Sequence, residues 1–376
     1  MPIYLDYNAS APIDRRVLEK MNEVYITNYG NADSRTHSFG TNAKEIVEGS
    51  RRTIASILDI DAMDLFFTSG STESNNMAIS GILNYALSSG KTHFITTSIE
   101  HKSVLEAMKH LEANGCTVDY VSPDSSGRTN VSQITDLICE KTLMVSMMHV
   151  NSETGIIQPV EALGEELSKR GVYFHVDATQ SFGKLNDVLR RTKYDMLSIT
   201  AHKLGGPQGI GAFVLRRGKD YRRPPVTPIM FGGQQERGYR PGTIPVALAA
   251  GFSLAAQLCD EEQDKYFTNC MKNKKSFLEC ISSLKYEING DQEYCLPSTI
   301  NVSFTGVDAE GIFLGTKEEY AFSNGSACNS NSHSPSYVLK AMGLSDDRIN
   351  EAIRISWGPN TTVDFRALVD YVESIV

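Results

Sequence analysis

Apolar residues along the chain fall into short runs that alternate with stretches of helical spacing. Between residues 43 and 58 the apolar positions 43, 46, 47, 54, 57 and 58 mark one face of a helix. Residues 65–68 (Leu65-Phe66-Phe67-Thr68) then read as a strand, and 73–87 as a second helix. The alternation continues with a strand at 93–97, a helix ending near Ala113, strands at 117–121 and 143–148, and a helix ending near Arg170. Strands at 172–176, 196–200 and 211–215 follow. Strands separated by helices require right-handed crossovers and a mainly parallel sheet covered on both faces. Beyond about residue 255 the texture changes to a charged helical stretch (261–284), a strand-like segment (299–304), a Ser/Asn/Gly-rich loop and a last helix at 364–375. The expected architecture is α/β: a large domain over 15–255 and a smaller α+β domain made of 1–14 and 256–376.

Composition removes several function classes. Hydrophobic residues make up 41% and charged residues 22%, which excludes a disordered, collagenous or coiled-coil chain. Against 36 Lys and Arg stand 45 Asp and Glu, a net charge of -9 without long like-charge runs. Charge-driven binding to nucleic acid or an anionic membrane is not expected. The start, Met1-Pro2-Ile3-Tyr4-Leu5-Asp6-Tyr7, has no signal-peptide pattern, and the longest uncharged stretch, 244–258, is too short to span a bilayer. A cytoplasmic protein is expected. The seven cysteines (116, 139, 259, 270, 280, 295 and 328) are odd in number and form no CxxC pair, which argues against a disulfide framework and a metal cluster. A functional cysteine here would act as a thiol.

In open parallel sheets ligands sit beyond the carboxyl ends of the strands. Five strand ends carry polar chemistry: Ser69-Gly70-Ser71-Thr72-Glu73, Glu100-His101-Lys102, His149-Val150-Asn151-Ser152-Glu153, Asp177-Ala178-Thr179-Gln180 and Thr200-Ala201-His202-Lys203. Each has an ordinary reading. Gly70-Ser71-Thr72 could be a capped turn, Asp177 a cap, His101 an exposed histidine and Lys203 a solvated amine. Taken together they fit another use. A small-residue loop opening a helix offers N–H groups to a phosphate, and Lys203, fixed before Leu204-Gly205-Gly206-Pro207, suits a Schiff base. A lysine, a carboxylate, a donor-rich cradle and a covering group are what pyridoxal 5'-phosphate requires, and Lys203, Asp177, Gly70-Ser71-Thr72 and His101 supply them.

Two further candidates stand apart. Cys328 lies in a small polar loop, about 321–333, where exposure favours thiol reactivity; an incidental loop cysteine is the alternative. Arg354, in the alternating run Ala352-Ile353-Arg354-Ile355-Ser356, suits either a carboxylate contact or a structural ion pair.

These motifs resemble the cysteine desulfurases of the class V aminotransferase-like, pyridoxal-phosphate-dependent family, in the group with a long catalytic-cysteine loop. The resemblance runs through nearly the whole chain, from Tyr4-Leu5-Asp6-Tyr7-Asn8-Ala9 through Thr68-Ser69-Gly70-Ser71-Thr72-Glu73-Ser74-Asn75-Asn76, Glu100-His101-Lys102 and His175-Val176-Asp177-Ala178-Thr179-Gln180. It goes on to Ala201-His202-Lys203, Gly238-Tyr239-Arg240-Pro241-Gly242-Thr243 and Gly325-Ser326-Ala327-Cys328. It implies a fold-type-I transferase in which Lys203 binds the cofactor aldehyde, Asp177 pairs with the ring nitrogen, Gln180 donates to the ring oxygen and His101 covers the ring and assists proton transfer. It further implies phosphate contacts from Thr72, Thr200 and His202, within the cradle that Gly70 and Ser71 open, a contact from Thr243 to the phosphate of the neighbouring subunit in a homodimer, and a carboxylate clamp of Arg354 with Asn31. The implied reaction converts L-cysteine to L-alanine and leaves a persulfide on Cys328 for an acceptor protein in iron–sulfur assembly, tRNA thiolation or DNA phosphorothioation.

The sequence departs from the family pattern at Ser152, where a second asparagine is usual, at Ala32 and at Gln234. Ser152 is too short to make the same ring contact directly. Another lyase or aminotransferase of the same fold, or a non-catalytic cofactor-binding adaptor, is the alternative.

Overall fold

The computed structural model describes residues 1–218, 221–323 and 335–375. Cys328 and its neighbours from 324 to 334 lie outside the described residues. The chain opens on strand β1 (Ile3–Tyr4). Seven strands then build the large sheet: β2 (Leu65–Thr68), β3 (His93–Thr97), β4 (Thr117–Val121), β5 (Thr142–Met148), β6 (Tyr173–Asp177), β7 (Met196–Thr200) and β8 (Gly211–Leu215). Their spatial order is β2-β8-β7-β6-β5-β3-β4. All pairs from β7 to β4 are parallel, while β8 runs antiparallel to both β2 and β7.

Strand side chains alternate between two helical layers, as the pleat requires. Leu65, Phe67, Val145 and Leu197 join Ala43, Val47, Ile54 and Leu58 on one face. Phe66, Met144, Met196 and Phe213 join Met77, Val104, Met108 and Leu111 on the other. With both faces covered, these strands read as continuous apolar runs. The helix Ser38–Leu58 lies against the helix Val246–Glu261, whose Ala249, Ala250 and Ala256 allow close approach.

The remaining strands are β9 (Tyr286–Ile288), β10 (Thr299–Phe304), β11 (Tyr320–Ala321) and β12 (Ala352–Ser356). The order β12-β10-β9 makes an antiparallel sheet, and β11 pairs in parallel with β1. Leu5 shares one apolar cluster with Phe277, Ile300, Val302, Ile355, Trp357 and Leu368, so the first residues of the chain pack with its last third.

The structure departs from the pattern in three places. The helix expected over 73–87 is split into Ser71–Ile79, a 3-10 turn Ser80–Ile82 and Leu83–Ser89. The cause is Gly81, whose carbonyl accepts from the backbone N–H and the hydroxyl of Thr227, at 2.8 and 2.9 Å. The helices Arg15–Thr27 and Val246–Glu261 had no counterpart in the pattern read above. β6 also runs one residue further, so that Asp177 is its last residue.

Because β8 is reversed, its first residue, Gly211, lies at the carboxyl ends of the parallel strands, paired with Thr68 and Thr200. A Cβ there would stand 2.5 Å from the Ile199 carbonyl oxygen and 2.7 Å from the Gly70 Cα, both main chain. Gly211→Ala is therefore expected to cost about 1–3 kcal/mol by overpacking. A thermal midpoint equal to that of the wild type would show that the contact is not tight.

Candidate active site

A cavity of about 550 Å3 is lined by residues that follow β2, β3, β5, β6 and β7. Of the residues expected at a cofactor site, Gly70, Ser71, Thr72, His101, Ser152, Asp177, Gln180, Thr200, His202, Lys203 and Arg354 all line it. Asn31 and Thr243 do not. The Asn31 Oδ1 accepts from the Asp33 N–H at 3.0 Å, closing a local turn, and no hydrogen bond joins it to Arg354. Thr243 is exposed in the loop before the helix Val246–Glu261.

The Lys203 Nζ donates to the main-chain oxygens of Asn8 and Ala9, at 2.5 and 2.7 Å. Asn8 is the anchor of this wall. Its Nδ2 donates to the Ser152 carbonyl and to the Thr299 hydroxyl, both at 3.0 Å, and its own carbonyl also accepts from the Gln180 Nε2 at 2.9 Å. Behind Gln180 lies the buried Lys184, whose ammonium reaches the Gln180 Oε1 at 3.5 Å. That contact turns the Gln180 NH2 toward Asn8. Burial brings the Lys184 amine down to about 8.

The floor is a chain of side-chain bonds. Asp177, 4% exposed, accepts at Oδ2 from the Asn75 Nδ2 (2.8 Å) and at Oδ1 from the Thr179 N–H (2.9 Å) and hydroxyl. The Asn75 Nδ2 also donates to the Ser103 hydroxyl at 2.9 Å, which lies 2.7 Å from the His101 Nδ1. His101 caps the helix Lys102–Ala113, its Nδ1 accepting from the Ser103 backbone N–H. In the neutral ring this places the proton on Nε2. Beneath, Glu100 is fully buried, and burial, with the Asp177 charge adding, pushes its carboxyl up to about 8. It holds its proton at neutral pH.

The helix Ser71–Ile79 opens at Gly70 with no side-chain cap, and the Ser71 Oγ is buried without a partner among the described residues. Uncapped first-turn N–H groups and an unsatisfied hydroxyl form an anion cradle. Glu73, next to it, is opposed by burial but held below the usual carboxylate range by Arg240 (2.9 Å) and the Ser69 N–H (2.6 Å). Burial and the Lys203 charge bring His202 down to about 4, so that it stands at the cradle as a neutral ring.

At the opposite wall Arg354, 3% exposed on β12, pairs with Asp6 at 2.5 Å and donates to the Ser152 carbonyl at 3.1 Å. Its Nε is buried with no partner among the described residues. Ser152 thus holds Arg354 through its main chain. Glu153, 4% exposed, accepts from the Ser336 hydroxyl at 2.5 Å, and burial pushes its carboxyl up to about 7.

A carboxyl raised on folding binds more protons in the folded state between pH 4.5 and about 7, so its contribution to stability is lost as pH rises through that window. Glu153→Gln is expected to match the wild type below pH 4.5 and to gain on it toward pH 7, by about 1.4 kcal/mol for each pH unit crossed. Denaturation across that range checks it, and a pH-independent difference would contradict the burial argument.

Asn8, Asn75, Ser103 and Lys184 carried no separate signal in the sequence. Only Asn75 had one in principle, since it follows Thr72 by three residues and shares its helix face.

The sequence model of the aminotransferase class-V family matches residues 3–364. "Cysteine desulfurase IscS" of Vibrio cholerae is 40% identical over 380 residues, covering 100% of this chain and 92% of the relative, and that of Rickettsia massiliae is 40% identical over 378 residues, covering 100% and 90%. Among solved structures, DndA from Streptomyces lividans is 40% identical with a TM-score of 0.83, covering 92% of this chain and 97% of its own. SspA in complex with cysteine is 34% identical with a TM-score of 0.84, covering 96% and 100%. With a family model over almost the whole chain and relatives of this identity along its full length, the chain belongs to the class-V aminotransferase family and, within it, to the cysteine desulfurases.

Proposed function

We propose that this protein takes L-cysteine to L-alanine and leaves the released sulfur as a persulfide on Cys328, from which an acceptor protein collects it. The observation that carries this reading is the meeting, in one cavity, of an amine (Lys203), a carboxylate (Asp177) and an uncapped helix terminus with the unpartnered Ser71 hydroxyl. Those three groups fit pyridoxal 5'-phosphate: Lys203 for the aldehyde, Asp177 for the ring nitrogen, Gln180 for the ring oxygen, and Gly70, Ser71, Thr72, Thr200 and His202 for the phosphate. When bound, the cofactor supplies an electron sink that makes the substrate Cα–H acidic.

The chain's own groups do the rest. Arg354, held flat by Asp6 and the Ser152 carbonyl, offers its Nε, unpaired among the described residues, to the substrate carboxylate. Lys203 takes the Cα proton at Nζ and returns it, and the Nε2 of His101 holds a proton at the site. The Asn75–Ser103 bridge fixes His101 relative to Asp177. The Cys328 thiolate attacks the substrate sulfur, the Cβ–S bond breaks, and the carbon takes up a proton to leave as alanine. Thr243 would serve the neighbouring subunit of a homodimer. We place the protein in the cytoplasm, a reading supported by the free state of the six described cysteines. Among the described residues no helix is long and apolar enough to cross a membrane.

The test is to incubate the purified holoenzyme with L-cysteine without reductant and then measure amino acid products and peptide masses. Alanine in step with one added sulfur on the Cys328 peptide is expected. Pyruvate, or alanine with no sulfur on that peptide, would overturn the reading in favour of a lyase or an aminotransferase.

A further inference from the structure

At the amino-terminal ends of the strands, on the far side of the sheet from the cavity, Cys139 is exposed just before β5. Its Sγ lies 3.6 Å from the Nδ1 of His93, the first residue of β3, a distance within reach for the larger sulfur atom. The other ring nitrogen, Nε2, lies 3.1 Å from the Oδ2 of Asp119 on the edge strand β4. The register accounts for this: His93 pairs with Thr117 on β4, and Asp119 is the diagonal neighbour on the same face. The His93 side chain is 10% exposed, and Asp119 presents its carboxylate half in solvent.

Thr142, paired with His93 at the start of β5, completes the group. Its hydroxyl oxygen accepts from the Cys139 backbone N–H at 2.8 Å and lies 2.8 Å from the His93 Nδ1 and 3.5 Å from the Cys139 Sγ. A carboxylate only accepts, so Asp119 keeps the proton of the neutral ring on Nε2 and leaves the Nδ1 lone pair facing Thr142 and the thiol. Once Nδ1 takes the thiol proton, the imidazolium and the Thr142 hydroxyl both donate toward sulfur. The order nucleophile, base and orienting carboxylate is the one that activates thiols elsewhere.

We propose that Cys139, with His93 as its base and Asp119 orienting that base, is a second nucleophilic thiol that exchanges with small disulfides such as cystine. The thiolate attacks one sulfur of RS–SR; a Cys139–S–SR bond forms, the RS–SR bond breaks, and RS⁻ leaves and takes the proton from His93. The Cys139 sulfur is oxidised, the departing sulfur is reduced, and no other reactant is needed. The thiol is held below its ordinary value, first by the Thr142 hydrogen bond, with the nearby Lys141 charge adding. Lys141, His93 and Asp119 are the charged and titratable groups around it. Cys280 makes a suitable internal comparison, since burial raises its thiol.

The experiment exposes the holoenzyme to cystine at neutral pH, quenches with an alkylating agent and follows mixed disulfides peptide by peptide. Cys139 should react at least about threefold faster than Cys280, because its thiol is held low where burial raises that of Cys280, and the weaker intrinsic nucleophilicity of a more acidic thiol offsets only part of that gain. His93→Gln should slow Cys139 by a similar factor and move its pH–rate inflection upward; Asp119→Asn, at a half-exposed site, should do so in part while leaving the fold intact. Cys139→Ser should leave alanine formation from L-cysteine unchanged, which separates this site from the cavity. Equal rates for Cys139 and Cys280, or a wild-type inflection for Cys139 at or above about 8.5, would overturn the proposal even if His93→Gln failed to fold.

Discussion

With Lys203 replaced by alanine, the protein is expected to fold normally and to form alanine from L-cysteine about ten-thousand-fold more slowly or not at all. In the proposed mechanism the amine has two tasks that no neighbour takes over: attachment of the cofactor, and movement of the Cα proton. Its structural contribution is small by comparison. In the folded chain Nζ donates to the Asn8 and Ala9 carbonyls, and the Asn8 oxygen keeps its bond from Gln180 when the amine is removed. The loss of one neighbouring bond costs about 1 kcal/mol. Lys203→Arg sharpens the test, because it retains donors for both carbonyls yet cannot be deprotonated in a protein. Thermal midpoints near that of the wild type, together with absent turnover in both variants, are expected. Retention of more than about 1% of turnover by either would remove Lys203 from the proton-transfer role, since that role is worth ~10²–10⁴ by itself.

The site was legible in the sequence to the extent that it is built from strand ends. Parallel strands covered on both faces are largely apolar, so the polar residues that follow each run mark the carboxyl edge, and Asp177, His101, Thr200 and Lys203 stand out in this way. Groups that support them from elsewhere in the chain left no such mark. Asn8 binds Ser152, Thr299, Gln180 and Lys203 from a position 144 or more residues away, and nothing in its local sequence encodes those partners. The reversal of β8 was equally silent, because Gly-Ala-Phe-Val-Leu reads the same for either strand direction. The helix Val246–Glu261 escaped because it is buried around much of its circumference, so its apolar positions show no single face. Asn31 is placed at the clamp by resemblance alone; in this chain its side chain closes a turn with Asp33 outside the lining of the cavity.

Arg354→Met is expected to raise KM for L-cysteine and to lower kcat/KM by about 10–150-fold, equivalent to ~1.5–3 kcal/mol for a hydrogen bond to a charged group. The sequence left a structural ion pair as the competing use of this arginine, and the structure does contain one, with Asp6 at 2.5 Å. Yet the pair uses Nη2, the Ser152 carbonyl uses Nη1, and Nε is left buried without a partner among the described residues. A buried donor without an acceptor is costly, and under the proposed function a carboxylate arriving in the cavity would satisfy it. The two uses separate in a double variant. Arg354→Met alone strands Asp6 and lowers stability by as much as ~3–5 kcal/mol; adding Asp6→Asn removes the stranded charge and should restore most of it. If Arg354 only pairs with Asp6, KM should recover along with stability. If it binds the substrate carboxylate, KM stays high in the restored protein, and Arg354→Lys, with one point charge in place of a planar fork, lies between the two.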